Sequence, residues 1–390
     1  MTAPVFILAG EPSGDRLAAS LMRAINEAYG RQQWIGVGDP AMVRQGLAGA
    51  HAMDSLTVMG FGAALTAYPR LSRFADKLVD EIMAARPRLV MTVDVKGFSL
   101  RLAARLKRRM AAEGWSAPII HTVAPTVWAW GAWRRHRVAR AVDGLLCLFP
   151  FEPDYFTPLG VHASFIGHPE AFNPSYDDAV RPALSEAPHV TLLPGSRRSE
   201  IENMLKPMLI TLYNLRWTHP QVTATIPALP AMQGAIELVM QRMPGSESAV
   251  TVDCRENALF DALARSRGVL AASGTVTLQT ALYGVPGVAC YITSGLSAAI
   301  GRRLVRMDRV ILPNALLGRE VYPFLFQEAA TPRELTRALL QVLDDGTAEA
   351  RAADDARALR ALLRGDSDSF DANVAAAMAP WMDAARRTPS

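Results

Sequence analysis

Cysteine is scarce in this chain of 390 residues, and its scarcity excludes a protein built on disulfides. The 3 cysteines, Cys147, Cys254 and Cys290, are odd in number and far apart, without the spacing of metal ligands. We expect them to be small buried side chains of a chain that works in a reducing compartment.

Long hydrophobic runs are absent as well. No stretch approaches the roughly 18 apolar residues that a membrane-spanning helix needs. Residues 1–4 lead directly into an apolar, strand-like run at 5–9, so we expect no secretory signal. Because 50% of the residues are hydrophobic and 20% are charged, we expect a globular, cytosolic chain, long enough for two domains.

Two binding signatures are also missing. The turn at residues 10–15 is G-E-P-S-G-D, not the G-x-G-x-x-G of dinucleotide-binding proteins. Arginines cluster at 101–109, 134–140 and 302–309, but without the aromatic or glycine interleaving of RNA-binding modules, so no nucleic acid partner is expected. Clusters of this size suit an anionic membrane surface or substrate, and solvated helix faces are the alternative.

A strand, a tight turn and a helix follow one another over residues 190–215. The apolar run 190–193 predicts a buried strand, and the turn after it carries Arg197. We predict that Ser199 caps the helix, because Glu202 stands three residues later in capping-box spacing. A helix N-terminus and a neighbouring guanidinium bind phosphate well; an ordinary turn with solvated arginines is the alternative.

The same order recurs over residues 268–283, where the small residues Ser273, Gly274 and Thr275 separate a strand from a helix. Two such loops at strand ends in one α/β half form a crevice where nucleotides commonly bind. Together the two loops predict a ligand that carries a diphosphate.

Acidic and aromatic residues mark the strand ends of the N-terminal half. Asp94 follows the buried run 89–93, in the place where open α/β sheets form active sites, although it could simply cap a turn. Three tryptophans at 128–133 predict stacking or an apolar wall. The apolar face at 59–82 predicts either a core face or a surface that touches lipid.

The alternation of strands and helices predicts an α/β protein with two domains. Residues 169–187 are rich in Pro, Asp and Ser and predict a linker between residues 1–168 and 188–345, and 346–390 predict a helical tail. We also expect a strand at 310–312 and a helix that starts at Thr331.

A series of short motifs connects this chain with a known family. They are A-G-E-P-S-G-D at 9–15, G-V-G-x-P-x-M at 36–42, V-M-G at 58–60, V-D at 93–94, A-P-T-V-W-A-W at 124–130, P-F-E at 150–152, F-I-G-H-P at 165–169, L-L-P-G-S-R-x-S-E at 192–200, S-G-T-x-T-L at 273–278, and L-P-N followed by G-R-E at 312–320. In this order they resemble the lipid-A-disaccharide synthases, family 19 of the glycosyltransferases.

The resemblance implies a GT-B fold, with two Rossmann-like parallel-sheet domains facing a central cleft. It implies an inverting transfer of a 2,3-diacylglucosamine unit from UDP onto 2,3-diacylglucosamine 1-phosphate, which yields UDP and the β-1,6-linked precursor of lipid A. It further implies a peripheral protein of the cytoplasmic face of the inner membrane, often a dimer, that needs no metal or other cofactor. The D-x-D at 366–368 lies between helical stretches and is discounted as a metal site.

The resemblance also implies roles for individual residues. Asp94 takes the position of the general base, and Glu11 that of a second acidic residue for the acceptor. Arg197 and a helix terminus would stabilise the leaving diphosphate, and Asn314 would position substrate. The apolar segment 59–74 and the tryptophan loop would accommodate acyl chains. The other implied substrate-binding residues are Gly14, Gly195, Ser196, Ser273, Gly274, Thr275 and Gln279.

Several positions depart from the family pattern. Where the family has D-x-P-D-F-N, residues 94–99 are D-V-K-G-F-S, so that Lys96 and Gly97 replace the proline and the second aspartate. The other departures are Asp39 for Gly, Ala63 for Glu, Phe324 for Glu, and Gln279 for a Glu that would hold the ribose hydroxyls. Two alternatives stay open: another UDP-sugar enzyme, such as an epimerase or a transferase to a different lipid, and an inactive paralogue that binds nucleotide or lipid.

Overall fold

The computed structural model describes residues 3–51, 53, 56, 61–128, 131–176, 187–243, 249–293 and 310–387. The strands are β1 Val5–Ala9, β2 Trp34–Val37, β3 Leu47–His51, β4 Leu89–Val93, β5 Ile119–Thr122, β6 Gly144–Cys147, β7 His162–Phe165, β8 His189–Leu193, β9 Thr223–Pro227, β10 Val250–Asp253, β11 Gly268–Ala272, β12 Gly287–Tyr291 and β13 Phe324–Phe326. The α-helices are α1 Pro12–Tyr29, α2 Pro40–Arg44, α3 Phe61–Ala85, α4 Lys96–Ala112, α5 Arg135–Ala141, α6 Arg198–Leu215, α7 Gln233–Met240, α8 Ala258–Arg265, α9 Thr275–Tyr283, α10 Leu312–Leu317, α11 Pro332–Asp344, α12 Ala348–Arg364 and α13 Phe370–Arg387.

Two compact units make up the chain. The first consists of residues 1–172 and 363–390, and the second of residues 173–362. Each unit contains one parallel sheet, which confirms the predicted α/β class with two parallel-sheet domains.

The sheet of the first unit has the strand order β3-β2-β1-β4-β5-β6-β7. Its central strands β1 and β4 are buried along their whole length, because helices cover both faces of a parallel sheet. The register pairs Ala9 with Val93 and Val93 with Thr122, so β1, β4 and β5 end at the same edge. The turns that carry Glu11 and Asp94 start from this edge.

The sheet of the second unit has the order β10-β9-β8-β11-β12-β13. Leu193 pairs with Ala271, and Ala272 pairs with Cys290, so β8, β11 and β12 also end together. The two loops that predicted a diphosphate ligand therefore follow adjacent strands. Burial raises the pKa of the Cys290 thiol in this sheet and that of Cys147 in the first, whereas Cys254 is only half-buried.

The structure differs from the sequence predictions in two elements. The strand predicted at 310–312 is wrong: α10 begins at Leu312, because Pro313 lacks an N–H and fits the first turn of a helix. The predicted tail at 346–390 does not form one body, since α12 lies in the second unit up to residue 362 and α13 in the first. The predicted helix start at Thr331 is confirmed, because its Oγ1 accepts a hydrogen bond from the N–H of Glu334 at 3.3 Å.

Some predicted features lie outside the described residues. They are the linker between 177 and 186, the V-M-G motif at 58–60, Trp130, the arginine cluster at 302–309, and the side chains of residues 61–67. Within the residues that are described, no helix combines the length and the apolar character needed to cross a membrane.

Candidate functional site

The first unit brings two of the sequence motifs together at one sheet edge. A Cβ built on Gly14 would lie 3.9 Å from the Cβ of Asp94 and 3.8 Å from the carbonyl oxygen of Val93. A Cβ built on Gly10 would lie only 2.6 Å from the Cγ2 of Val95, closer than side chains tolerate. The glycines of the first motif thus allow α1 to start directly against the turn that carries Asp94.

The backbone around Asp94 is strained. Asp94 has a φ of 52°, Val95 of 43°, and Val123 at the end of the neighbouring strand of 73°. A left-handed conformation is costly for a β-branched residue, and such strain gathers at functional sites. Hydrogen bonds hold this conformation: the N–H of Asp94 donates to Thr122 O at 3.1 Å, and Ser99 Oγ donates to Asp94 O at 2.8 Å.

Glu11 lies at the same edge. It is the N-cap residue of α1, with an extended backbone at φ −141° and ψ 153°, and its side chain is exposed. Pro12 takes the first helical position, which needs no N–H. The structure therefore places Glu11, Gly14 and Asp94 at the carboxyl ends of two adjacent strands, where open α/β sheets bind ligands.

A buried glutamate organises the tryptophan segment of the first unit. Glu152 Oε2 accepts hydrogen bonds from the N–H groups of Leu148 and Phe149, each at 3.1 Å, and Oε1 accepts from the indole of Trp128 at 3.3 Å. Burial raises the pKa of Glu152 to about 7. Trp128 is buried and packs edge-on against Phe151, with ring centroids 5.2 Å apart. Part of the predicted aromatic wall is therefore core, and the only sequence signal for the role of Glu152 is the P-F-E motif.

Two histidines near this edge are held neutral. Burial lowers the pKa of His121 to about 3, with the Lys96 ammonium as a second cause, and burial lowers that of His168 to about 4. The Nδ1 of His121 is hydrogen-bonded to Thr92 Oγ1 at 2.8 Å, and His168 stacks on Phe149 at 5.7 Å between ring centroids. Neither imidazole adds a positive charge to the edge near neutral pH.

The second unit places a positive turn beside a helix N-terminus. The turn with Arg197 follows β8, and Ser273 to Thr275 follow the adjacent strand β11. The N-cap residue of α9 is Gly274, which has no side chain to cap the first N–H groups of the helix. Gln279 stands four residues after Thr275 and thus on the same face of α9. This edge can hold an anion next to hydroxyl groups.

The start of α6 differs from the prediction. The predicted cap by Ser199 and Glu202 is wrong: the backbone leaves the extended conformation at Arg197, with φ −112° and ψ 146°, so the helix begins at Arg198. Glu200 takes the third helical position, and its Oε2 accepts hydrogen bonds from the N–H groups of Ser196 at 3.0 Å and Arg197 at 3.3 Å. Only the glutamate half of a capping box forms here, because an arginine side chain has no hydrogen-bond acceptor for the N–H of Glu200.

The side chain of Asn314 is hydrogen-bonded to the backbone of residues 321 and 322. Its Oδ1 accepts hydrogen bonds from the N–H groups of Val321 at 3.0 Å and Tyr322 at 2.9 Å, and its Nδ2 donates to Tyr322 O at 2.8 Å. Asn314 therefore fixes the segment that leads into β13, which starts at Phe324. Contacts of Asn314 and Gln279 with substrate stay predictions.

The fold defines the class of protein. A structure of S. aureus MnaA determined with UDP has a TM-score of 0.61 at 12% identity and covers 100% of this chain and 99% of that one. MurG from Acinetobacter baumannii has a TM-score of 0.53 at 15% identity and covers 92% of this chain and 95% of that one. Likeness at such identities speaks for the fold alone, and this fold is the GT-B fold.

Sequence similarity then identifies the family. The profile described as lipid-A-disaccharide synthetase matches residues 5–378. Lipid-A-disaccharide synthases of Rhodospirillum centenum and Pseudomonas paraeruginosa are 36% and 35% identical to the chain; the alignments cover 88% and 94% of it and 86% and 95% of the relatives. The chain belongs to the lipid-A-disaccharide synthetase family and is a glycosyltransferase, which confirms the resemblance carried by the motifs.

Proposed function

We propose that the chain transfers a 2,3-diacylglucosamine unit from UDP onto 2,3-diacylglucosamine 1-phosphate, with inversion at the anomeric carbon. The observation that carries the proposal is the adjacency of the Arg197 turn and the start of α9 at the ends of the paired strands β8 and β11. A guanidinium beside a helix N-terminus suits the diphosphate of a UDP-sugar. The relatives are named lipid-A-disaccharide synthases, and the acylated sugars of the proposal are those that the family resemblance implies.

The second unit would bind the donor. Arg197 and the first N–H groups of α9 stabilise the diphosphate as negative charge builds on it in the transition state, so that no metal is required. Ser273 and Thr275 add hydroxyl donors, and Gln279 accepts a hydrogen bond from a ribose hydroxyl. Gly195 and Ser196 form the turn that carries Arg197.

The first unit would bind the acceptor and remove its proton. The acceptor hydroxyl oxygen forms a bond to the anomeric carbon, while the bond from that carbon to the β-phosphate oxygen breaks and UDP leaves with the electron pair. The hydroxyl proton passes to the carboxylate of Asp94. Glu11 accepts a hydrogen bond from the acceptor, and Gly14 leaves room for the sugar beside Asp94.

We propose that the chain works as a peripheral protein on the anionic cytoplasmic face of the inner membrane. We further propose that it forms a homodimer. The basic face of α4 supports the membrane part of this proposal. Arg101, Arg108 and Arg109 are exposed there, and the Arg101 guanidinium lies 5.3 Å from the ring centroid of Tyr68 on α3, which is also exposed. Arginines and tyrosines suit a lipid surface because they pair with phosphates and lie at the interface. The acyl chains would lie along segment 59–74.

The test is an assay of UDP release and disaccharide formation with the two acylated substrates. Asp94→Asn keeps the shape of the side chain but removes the base, and we expect kcat to fall by about 10²–10⁴-fold. Asp154→Asn, at an exposed position of the same unit, serves as the control and should keep full activity.

Four outcomes would contradict the proposal. Asp94→Asn activity within a few fold of wild type would remove Asp94 as the base. UDP release that requires a different sugar would change the substrate, and epimerised UDP-sugar without any disaccharide would indicate an epimerase. Binding of UDP without turnover by the wild-type protein would indicate an inactive paralogue.

A further inference from the structure

In the turn between β8 and α6, the place where an anion would bind the backbone N–H groups is occupied by the carboxylate of Glu200. Glu200 Oε2 accepts the hydrogen bonds from the N–H groups of Ser196 and Arg197, and Glu200 Oε1 lies 3.2 Å from Arg197 Nη1. A Cβ built on Gly195 would lie 2.5 Å from both the Cβ and the Oε2 of Glu200, and the φ of Gly195 is 115°. This glycine is therefore needed for the approach of Glu200, and the N–H groups of the turn are already engaged.

The two partners of this ion pair differ in exposure. The Glu200 side chain is 15% exposed and the Arg197 side chain 77% exposed. The carboxylate is thus anchored against the turn, while the guanidinium extends into solvent with only one of its nitrogens in the pair. A guanidinium has five N–H donors, so Glu200 can hold it in place and leave donors for a second anion.

The pair is close to the strand that lies beyond β11. Burial raises the pKa of Tyr291 at the end of β12, the Glu200 carboxylate raises it further, and the Arg197 guanidinium lowers it. The N–H of Ile292, which follows β12, donates to the Sδ of Met204 on α6 at 3.0 Å, so the first turns of α6 lie across the end of β11. The Arg197 turn and the Ser273 turn therefore follow paired strands and start from the same edge of the sheet.

An ordinary surface pair stands next to it for comparison. Arg198 Nε lies 2.9 Å from Glu202 Oε1, four residues apart on the same helix, with side chains 69% and 53% exposed. No backbone N–H donates to Glu202 among the hydrogen bonds of the described residues. The start of α6 therefore carries two neighbouring Arg–Glu pairs of equal charge, one anchored to the turn and one solvated.

We propose that Glu200 is a positioning residue. It accepts the hydrogen bonds of the N–H groups in the β8–α6 turn and fixes the Arg197 guanidinium. This guanidinium is then the one group of the turn that contacts the diphosphate. The inference rests on the proposed function, because it takes a UDP-sugar as the ligand. It also changes the roles of Gly195 and Ser196, which support Glu200 and do not contact the ligand.

The test is a double-mutant cycle on UDP affinity, measured by calorimetry on the full chain. Arg197→Gln should weaken UDP binding by about 10–100-fold, because it removes a charge-assisted hydrogen bond. Glu200→Gln should weaken it by about 3–10-fold, and it should have no further effect in the Arg197→Gln background. Glu202→Gln, the matched control, should leave the affinity unchanged.

Hydrogen exchange on the wild-type protein gives a second readout that does not depend on how well a variant folds. UDP should slow exchange in residues 274–278 and leave exchange at Ser196 and Arg197 unchanged, since their N–H groups are bonded to Glu200 with and without ligand. New protection at Ser196 and Arg197 on addition of UDP would overturn the proposal.

The remaining outcomes distinguish a failure of the proposed role of Glu200 from a failure of the proposed function. Tighter UDP binding by Glu200→Gln would show that the carboxylate competes with the diphosphate, and an equal loss in both backgrounds would show a merely structural role; either overturns the positioning role. If Arg197→Gln loses UDP affinity and Glu200→Gln does not, the positioning role of Glu200 is overturned, but the proposed function is unaffected. A wild-type protein that does not bind UDP contradicts the proposed function, and the role of Glu200 falls with it.

Discussion

At the scale of single residues, Gly10 and Gly14 determine how closely helix α1 and its preceding turn approach Asp94 at the sheet edge. Gly10 faces Val95 and Leu56, where an added Cβ would come within 2.6 Å and 2.9 Å of side-chain carbons. Gly14 faces Ala9, Val93 and Asp94 at ordinary distances of 3.7–3.9 Å. One glycine is therefore required by packing, whereas the other leaves room directly beside the proposed base.

The two glycines should respond differently to the same change. Gly10→Ala forces a shift of Val95, which already has a left-handed backbone, and overpacking of this kind costs about 1–3 kcal/mol. We expect a lower thermal midpoint and, because Asp94 precedes Val95, a lower kcat. Circular dichroism melts and the disaccharide assay measure the two effects.

Gly14→Ala is the matched substitution one turn away. Alanine in a helix is more favourable than glycine by roughly 0.5–1 kcal/mol, so we expect an unchanged or higher melting midpoint. The new methyl group would occupy the space beside Asp94, so the KM for the acceptor should rise while the protein stays folded. A KM equal to that of the wild type would remove Gly14 from the acceptor site.

At the scale of secondary-structure elements, the central strands were predictable and the edge strands β3, β7 and β13 were not. The strands β1, β4, β8 and β11 are nearly continuous apolar runs, which is the pattern of strands buried on both faces. The edge strands β3, β7 and β13 are short or half-buried, and their mixed sequences carry no such signal. A three-residue strand such as β13 is defined by its pairing with β12, which its own sequence does not reveal.

The candidate site was predictable to a similar extent. The strand ends that carry Asp94 and Arg197 followed from the apolar runs before them. The partner of Arg197 did not, because Ser199 and Glu202 match the capping-box pattern whereas Arg197 and Glu200 do not, and only the backbone shows that the helix begins after Arg197. The buried role of Glu152 was hidden for another reason: Leu148 and Phe149 are close to it in sequence, but Trp128 lies 24 residues away and becomes a neighbour only in the fold.

Glu152 makes the stability of the tryptophan segment depend on pH. Its pKa is about 7 in the folded chain against an ordinary value of 4.5. Between these values the unfolded chain has released the proton and the folded chain keeps it, so the contribution of Glu152 is full below pH 4.5 and is lost as the pH rises through 7. The loss is on the order of 3 kcal/mol.

Glu152→Gln should abolish this dependence. We expect the free energy of unfolding of the variant, relative to that of the wild type, to rise by about 3 kcal/mol from pH 4.5 to 7.5. Buried neutral histidines such as His121 and His168 act in the opposite direction in both proteins and cancel in the difference. Urea titrations followed by tryptophan fluorescence measure it, and parallel pH curves for the two proteins would contradict the expectation.

At the scale of the whole molecule, the first unit is assembled from both ends of the chain. The helix α13 packs on α1, where Arg23 binds Asp371 with Nη2–Oδ1 and Nε–Oδ2 distances of 3.0 Å and 3.2 Å. The hydroxyl of Tyr29 donates to Ala375 O at 2.6 Å. Sequence pattern alone placed α13 in a separate tail, because an amphipathic helix does not reveal which apolar surface it covers.

The docking of α13 predicts that a change near the C-terminus destabilises the N-terminal unit. Met378 is fully buried, and a buried Met→Ala change costs about 2–5 kcal/mol. Trp217 is the only tryptophan among residues 173–362, so a Trp217→Phe background reports on the first unit alone. In that background Met378→Ala should lower the urea midpoint, whereas Asp383→Ala, exposed on the same helix, should not. Equal midpoints for these two variants would mean that α13 contributes nothing to the stability of the first unit.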